Sequence, residues 1–253
     1  MDLLVVGGSG LLGREVVAQA RRAGATVAAT FHSGGAGVGG VEWHRLDITD
    51  RAAVAALVGR VRPTTVLNAA YRQADWVTTA DGAMHVAAAA AETGARLIHV
   101  SSDAVFSARS GTYDEGCVPC PGTVYGAAKA AAETAVTGLV PGAVIARTSL
   151  IVGDEPAPRG EAGGVLFTDD VRCPVDVGDL AAALLSSGPG VCHLAGADAV
   201  SRYELGVLVA RRYGWDVARL RPGLRSESGL PGALDVRLIG VTALRGAREF
   251  LVR

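Results

Sequence analysis

The chain has 253 residues, 24 Lys+Arg against 25 Asp+Glu, and a formal net charge of −1. Hydrophobic residues make up 49%, enough for a substantial core in one large α/β domain or one and a half small ones. A near-neutral balance without a basic block argues against nucleic acid or an anionic membrane surface as partner.

No apolar run reaches the ~18 residues needed to span a bilayer. The opening MDLLVVGGSG lacks the charged and long apolar regions of a signal peptide. A cytoplasmic location with reduced cysteines is the expectation.

In chain order, LLVV (3–6) has the pattern of a buried strand, and LLGREVVAQARRAG after it reads as an amphipathic helix stopped at Gly24. TVAAT (26–30) is the next strand, followed by a GGAGVGG loop. VEWHRLDITD then leads into an Ala- and Val-rich helix over 51–60. TTVLNAA (64–70), ARLIHVSS (95–102) and GAVIARTS (142–149) are further strands, with Ala-rich helices at about 80–93 and 124–138 between them. This alternation predicts an α/β fold, a doubly wound parallel sheet of the Rossmann type. The dinucleotide-binding domain is expected over 1–150. Residues 151–253 read as a smaller C-terminal substrate lobe, packed on the strand ends and not independently folding. In that lobe EPAPRGEAGG is a loop, DVGDLAAALLSS a helix, VCHLAG a short strand and SRYELGVLVARRYG a helix.

Gly7, Gly10 and Gly13 form a GxxGxxG at the first strand-to-helix turn. Such a loop lets backbone N–H groups approach a pyrophosphate at a helix N-terminus. A merely tight turn is the alternative, and the position between the first strand and a strong helix favours dinucleotide binding. An NAD site usually ends its second strand in a carboxylate that grips the ribose. Here that strand ends Thr30-Phe31-His32-Ser33. Arg14 and His32 instead offer positive charge to a 2′-phosphate, so NADP(H) is favoured over NAD(H).

Lys129 is the only lysine in a chain that uses arginine for its other basic residues. It lies four residues after Tyr125 on a predicted helix, which puts both side chains on one face. An ammonium beside a phenol is expected to lower the phenol's pKa toward useful acid–base range. The same compact charge can bond a cofactor ribose, which a planar guanidinium does not reproduce. The competing reading is a solvated surface lysine. Ser101 and Ser102 close the strand ARLIHVSS, at the end where open α/β sheets build their sites. A hydroxyl there, Ser102 in preference to Ser101, is expected to bond a substrate carbonyl. Helix capping is the plainer role. Cys117 and Cys120 form a CxxC in the Pro-rich GCVPCPG. Without a second CxxC or a His pair, loop packing is favoured over a redox or metal role.

Together GGSGLLG, NAA (68–70), SSDAVF, YGAAK and RTSLIVG resemble the extended short-chain dehydrogenase/reductases. Within them the chain is similar to the dTDP-4-dehydrorhamnose reductase family, which also includes regulatory relatives of methionine adenosyltransferase. LDITD, TYDEGCVPCPGTVYG and CPVDVGDLA fit in order, so the resemblance covers nearly the whole chain. It implies that Tyr125 donates the proton to a ketone, Lys129 modulates it and binds the ribose, and Ser102 orients the carbonyl. It further implies that Gly7, Gly10, Leu11, Leu12 and Gly13 line the diphosphate and that Asp47 and Ile48 border the adenine. Asn68, Ala69 and Ala70 would line the ribose, with Tyr71 near the nicotinamide, Val124 in the active-site wall and Asp103 positioning its loop. Arg172, Arg72 and Trp76 are candidates for anionic or planar groups of a small-molecule carbonyl substrate.

The implied function is an NADPH-dependent reductase, acting on a nucleotide-linked 4-keto sugar. A ketoreductase of secondary metabolism with a non-sugar substrate and a non-catalytic NADP-binding regulatory subunit are the alternatives. Epimerase or dehydratase chemistry also fits this scaffold. A homodimer is an expectation at the level of the family only.

Overall fold

The computed structural model describes residues 1–34, 39–107, 111–153, 164–230, 232–240 and 242–252. Chain order runs β1 (Leu3–Val6), α1 (Leu11–Arg22), β2 (Val27–Phe31), β3 (Glu42–Arg45), α2 (Arg51–Val61) and β4 (Thr65–Asn68). A π-helical turn at Val77–Asp81 leads into α3 (Gly82–Thr93), then β5 (Arg96–Ser102), a 3-10 turn at Asp103–Val105 and β6 (Gly111–Tyr113). Next come α4 (Val124–Leu139), β7 (Val144–Thr148), β8 (Ile151–Val152), β9 (Val165–Phe167), β10 (Asp170–Arg172) and β11 (Val175–Asp176). The remainder is α5 (Val177–Ser186), β12 (Gly190–Gly196), β13 (Val200–Ser201), α6 (Arg202–Tyr213), β14 (Arg221–Gly223), β15 (Leu234–Leu238), β16 (Ala243–Leu244) and α7 (Ala247–Phe250).

Eight strands form one parallel sheet in the order β16-β12-β7-β5-β4-β1-β2-β3. β1 is apolar along its length, and Val66–Leu67 of β4, Leu97–Ile98 of β5 and Val144–Ala146 of β7 are apolar as well, because helices cover both faces. On one face α1 and α5 bury Val16, Val17, Leu180 and Leu184 against Val5, Leu67 and Ile98. On the other, α2, α3 and α4 bury Val54, Leu57, Val86 and Val136 against Leu4, Val66 and Leu97. The strand order reverses between β1 and β4. The crossovers there leave in opposite directions, which opens a crevice over the C-terminal strand ends.

Two findings differ from the sequence reading. VEWHRLDITD contains strand β3, paired in parallel with β2, where only the approach to a helix was expected. Its sequence EWHR is exposed or half-buried throughout, because an edge strand covered on little of its surface carries no apolar run. Residue 150 is also not a boundary of the sheet. α5 packs on α1, and β12 continues the sheet beside β7. In exchange, β6 from the first half joins a four-stranded sheet, β13-β10-β15-β6. Two strand pairs, β8–β11 and β9–β14, complete the smaller part. Residues 155–163 of EPAPRGEAGG and 35–38 of the GGAGVGG loop lie outside the described residues. Among the described residues, no helix is long and apolar enough to cross a membrane.

Candidate active site

β1 ends at Val6, and the chain turns on Gly7 with φ +85°, a conformation that favours glycine. A Cβ at Gly7 would lie 2.8 Å from Ala70 N, and one at Gly13 would lie 2.2 Å from Gly7 O. The protein's own backbone therefore demands both glycines. Gly10 is different, since a Cβ there would meet only Gly7 O, at 3.4 Å. Gly10 caps α1 with no side-chain hydrogen bond. The amides that follow it thus have no side-chain cap at the positive end of the helix dipole, an arrangement suited to a diphosphate. Buried Thr30 accepts the Gly7 N–H at 3.0 Å and ties the turn to β2.

The remaining predicted cofactor residues lie along the same strand ends. Leu11 is exposed, whereas the Leu12 side chain is in the core, so Leu12 can serve a ligand only through its backbone. Arg14 donates to Ser9 O at 3.1 Å and is solvent-accessible. His32 Nε2 sits 3.6 Å from Asp47 Oδ2. Asp47 is held below the usual carboxylate range, first by the Thr49 N–H and then by the Thr49 hydroxyl. Ile48 is buried, and its carbonyl meets His85 Nδ1 at 3.0 Å. Buried Asn68 accepts the Ala70 N–H at 3.1 Å, fixing the turn through Ala69. Tyr71 is exposed above it.

Ser102 ends β5 and starts the 3-10 turn. Its Oγ accepts the Ala104 N–H and donates to Asp103 Oδ1, each at 3.2 Å. Thr123 caps α4 by accepting the Gly126 N–H at 3.0 Å. Gly126 packs so tightly on the turn that a Cβ would lie 2.0 Å from Ala104 O. Tyr125, the residue before it, lies close enough to Ser102 for that hydroxyl to bear on its phenol, with its ring 5.8 Å from that of Tyr71. One turn on, Lys129 is only 3% exposed. Its Nζ donates to Val100 O at 3.0 Å and lies 4.9 Å from the centre of the Tyr71 ring. Among the described residues, Val100 O is the one hydrogen-bond acceptor this ammonium has. With three donors to satisfy, it fits a further hydroxyl ligand such as a ribose.

Burial dominates the electrostatics. It brings Lys129 down to about 8, against an opposing pull from Glu133. It pushes the Tyr125 phenol up, helped by Tyr71 and Asp103 and opposed by the Ser102 hydrogen bond. The expected lowering of the phenol by the ammonium is therefore not found, and loss of water around the ring sets the direction. His99, fully buried behind these groups, is brought down to about 3 by burial and then by Lys129. It stays neutral, with Nδ1 3.4 Å from Asn68 Nδ2.

A dTDP-4-keto-6-deoxy-D-glucose reductase of Streptomyces niveus is 31% identical over 246 residues, covering 87% of this chain and 81% of that one. A dTDP-4-dehydrorhamnose reductase of Mycobacterium tuberculosis H37Rv is 32% identical over 287 residues, covering 98% and 90%. The crystal structure of dTDP-4-dehydrorhamnose reductase from Bacillus anthracis in complex with NADP superposes with a TM-score of 0.83. It is 23% identical and covers 99% of this chain and 98% of that one, a likeness of fold. The profile of the RmlD substrate binding domain matches residues 1–232. The chain belongs to the RmlD substrate-binding family.

For this RmlD-family chain, the structure draws Ser102, Tyr125 and Lys129 together beside the glycine turn. Arg172 is already committed, with Nη1 3.1 Å from Asp103 Oδ2 and Nε 3.0 Å from Asp170 Oδ1. Asp103 also accepts from Ser149 Oγ at 2.8 Å. Asp103 thus joins the end of β5 to β10. Trp76 is exposed, and Arg72 is tied through its backbone to Thr79. Cys117 packs in the apolar cluster of Phe106 and Tyr113, and Cys120 N–H donates to Val105 O at 2.8 Å. All four cysteines are free. Gly126 stands inside YGAAK and Arg147 opens RTSLIVG, yet neither motif shows what its residue packs against; Thr30 and Glu133 carry no local signal of their contacts.

Proposed function

We propose that this protein is an NADPH-dependent reductase that converts the ketone of a nucleotide-linked 4-keto-deoxysugar to an alcohol. The observation that carries the reading is the convergence of Ser102, Tyr125 and a buried, under-bonded Lys129 on the strand ends beside the uncapped N-terminus of α1. The named activities of the RmlD-family relatives support the substrate class.

In this reading the amides from Leu11 to Gly13, with Gly7 and Gly10, hold the diphosphate. Asp47 and Ile48 border the adenine, and Asn68 to Ala70 with Lys129 hold the nicotinamide ribose. When bound, a reduced nicotinamide supplies the hydride. Ser102 hydrogen-bonds the ketone oxygen and orients it. Tyr125, whose burial keeps the phenol protonated at neutral pH, donates its proton to that oxygen. The carbonyl carbon gains two electrons with the hydride, and the oxygen gains the phenol proton. Lys129 then stabilises the phenolate until solvent reprotonates it.

Preference for NADPH rests on Arg14, which is solvent-accessible beside the glycine turn, and on a β2 end without a carboxylate. The four free cysteines support a cytoplasmic location, and a homodimer belongs to the same reading.

Purified protein is tested for NADPH and NADH binding by fluorescence and for turnover of 4-keto nucleotide sugars against simple ketones. Tyr125→Phe is expected to abolish turnover with NADPH affinity within about a few-fold. Unchanged turnover in that variant refutes the mechanism, and NADH binding at least as tight refutes the cofactor preference. Tight NADPH binding without turnover of any substrate favours a regulatory subunit.

A further inference from the structure

Behind the proposed site lies a charged cluster that the reaction as described does not use. Glu133 is one turn beyond Lys129 on α4 and is 5% exposed. Its Oε1 accepts a short hydrogen bond from Ser101 Oγ. Arg147, on β7 and equally buried, donates from Nε to both carboxylate oxygens at 3.1 and 3.2 Å and from Nη2 to Oε2 at 2.9 Å. Arg147 Nη1 also reaches Cys117 O at 3.3 Å, and its guanidinium lies 5.2 Å from the centre of the Phe106 ring. One carboxylate therefore ties together α4, β5 at the residue before Ser102, β7 and the loop leading back to α4.

A buried ion pair is a poor way to gain stability, because desolvation consumes most of the attraction and an apolar pair of similar volume does as well. The location of this one is its distinguishing feature. Glu133 and Lys129 are i, i+4 neighbours on one helix face. Ser101 is adjacent to Ser102 in the chain, so any shift of Glu133 moves both the lysine's helix and the serine's strand. The cluster holds two cations, Lys129 and Arg147, and one anion.

We propose that Glu133 is a positioning residue: through Ser101 and Arg147 it fixes α4 against β5 and keeps an anion one turn from Lys129, so that the lysine remains an ammonium. The inference deepens the reductase reading and rests on it for the lysine's use. The groups around Lys129 are Tyr125 and Glu133 on α4, His99 on β5 and Tyr71 after β4, with Arg147 on β7 behind Glu133 and Asp103 nearest to Tyr125. Asp81, His85 and Glu92 belong to α3 and the turn before it, and none is bonded to the lysine among the described residues. Burial opposes the charge on Lys129, the ammonium in turn keeps His99 neutral, and Glu133 is the anion that sustains the lysine's charge.

The sequence supplies an unambiguous probe. Lys129 is the only lysine, so the full-length protein grown with 13C-labelled lysine shows a single lysine side-chain signal. Its titration is followed from about pH 6 to about pH 11, a range that spans the free-lysine value. Glu133→Gln keeps the shape and removes the charge. It is expected to lower the midpoint by about tenfold in proton concentration, as expected for one nearby charge in a protein interior. It is also expected to lower kcat while leaving KM for NADPH within about a few-fold. Glu133→Asp restores the charge and moves the midpoint back up.

An unchanged midpoint in folded Glu133→Gln overturns the proposal. Should that variant fail to fold, Arg147→Met leaves the Glu133 carboxylate without its cation and is expected to raise the lysine midpoint, and an unchanged or lower midpoint there overturns the proposal equally. Wild-type protein provides an independent arm, because a midpoint below about pH 7 means that the ammonium is not held. These signals do not depend on turnover. An inactive wild type with the expected titrations refutes the reductase reading and leaves the Glu133–Lys129 coupling standing.

Discussion

Replacing Gly126 by alanine is expected to destabilise the protein, against the usual sign for a glycine inside a helix. Helix propensity alone predicts a gain of about 1 kcal/mol. The added Cβ would lie 2.0 Å from Ala104 O and 2.9 Å from the Ala104 carbonyl carbon. Those are backbone atoms of the turn that follows Ser102, so no side chain can swing aside. Ordinary contact begins at 3.4 Å, and reaching it parts α4 from the turn by about 1.4 Å. Overpacking of this kind costs about 1–3 kcal/mol, which leaves a net loss of up to about 2 kcal/mol after the propensity gain. For a chain this size that is a Tm fall of up to roughly 8 °C. The same displacement separates Tyr125 from Ser102, and a misplacement of about 1 Å costs about 100-fold in kcat. The assay pairs thermal melts with turnover for Gly126→Ala and Gly138→Ala. Gly138 lies on the same helix, and a Cβ there meets nothing within 4 Å, so that change is expected to raise Tm. The reasoning is refuted if Gly126→Ala raises Tm as Gly138→Ala does and keeps kcat within about threefold.

Lys129→Met is expected to abolish turnover yet stabilise the ligand-free protein at neutral pH by about 1–3 kcal/mol, because it removes a buried charge. With Lys129 lowered from 10.5 to about 8, the unfolded chain holds the extra proton between those values. Wild-type stability therefore rises with pH across that window, and urea melts of the variant should lose the rise. His99 gives a second window. Lowered from 6.5 to about 3, it stays neutral in the fold while the unfolded chain takes a proton. Stability should be lost as pH falls from about 6.5 to about 3, and less steeply in His99→Gln. Arg172→Met strands the 5% exposed Asp103, leaving it the Ser149 and Ser102 hydroxyls. A loss of about 3 kcal/mol is expected, with kcat falling more than NADPH affinity. A Tm within about 2 °C of wild type contradicts that account.

Much of the doubly wound sheet was legible because strands covered on both faces carry apolar runs, throughout LLVV and at Leu97 and Ile98 of ARLIHVSS, and because Gly7 and Gly13 answer to local backbone demands. Edge strand β3 was not, since EWHR satisfies its few contacts without an apolar signature. The crossing of residue 150 was also hidden. Nothing local in VCHLAG tells which strand it will pair with, and pairing with β7 is decided by the packing of α5 on α1.

Of the candidate site, the sequence by itself determined that a tyrosine and the one lysine share a helix face, that a serine ends a strand, and that a glycine turn opens the first helix. Each follows from period and spacing along the chain. Tertiary structure decided the ionisation of these groups and their support. Burial, which spacing does not encode, pushes the phenol up and the ammonium down. Asp103 finds Arg172, and Glu133 finds Arg147 and Ser101. These partners lie far apart in sequence, and only the fold brings them within hydrogen-bonding reach.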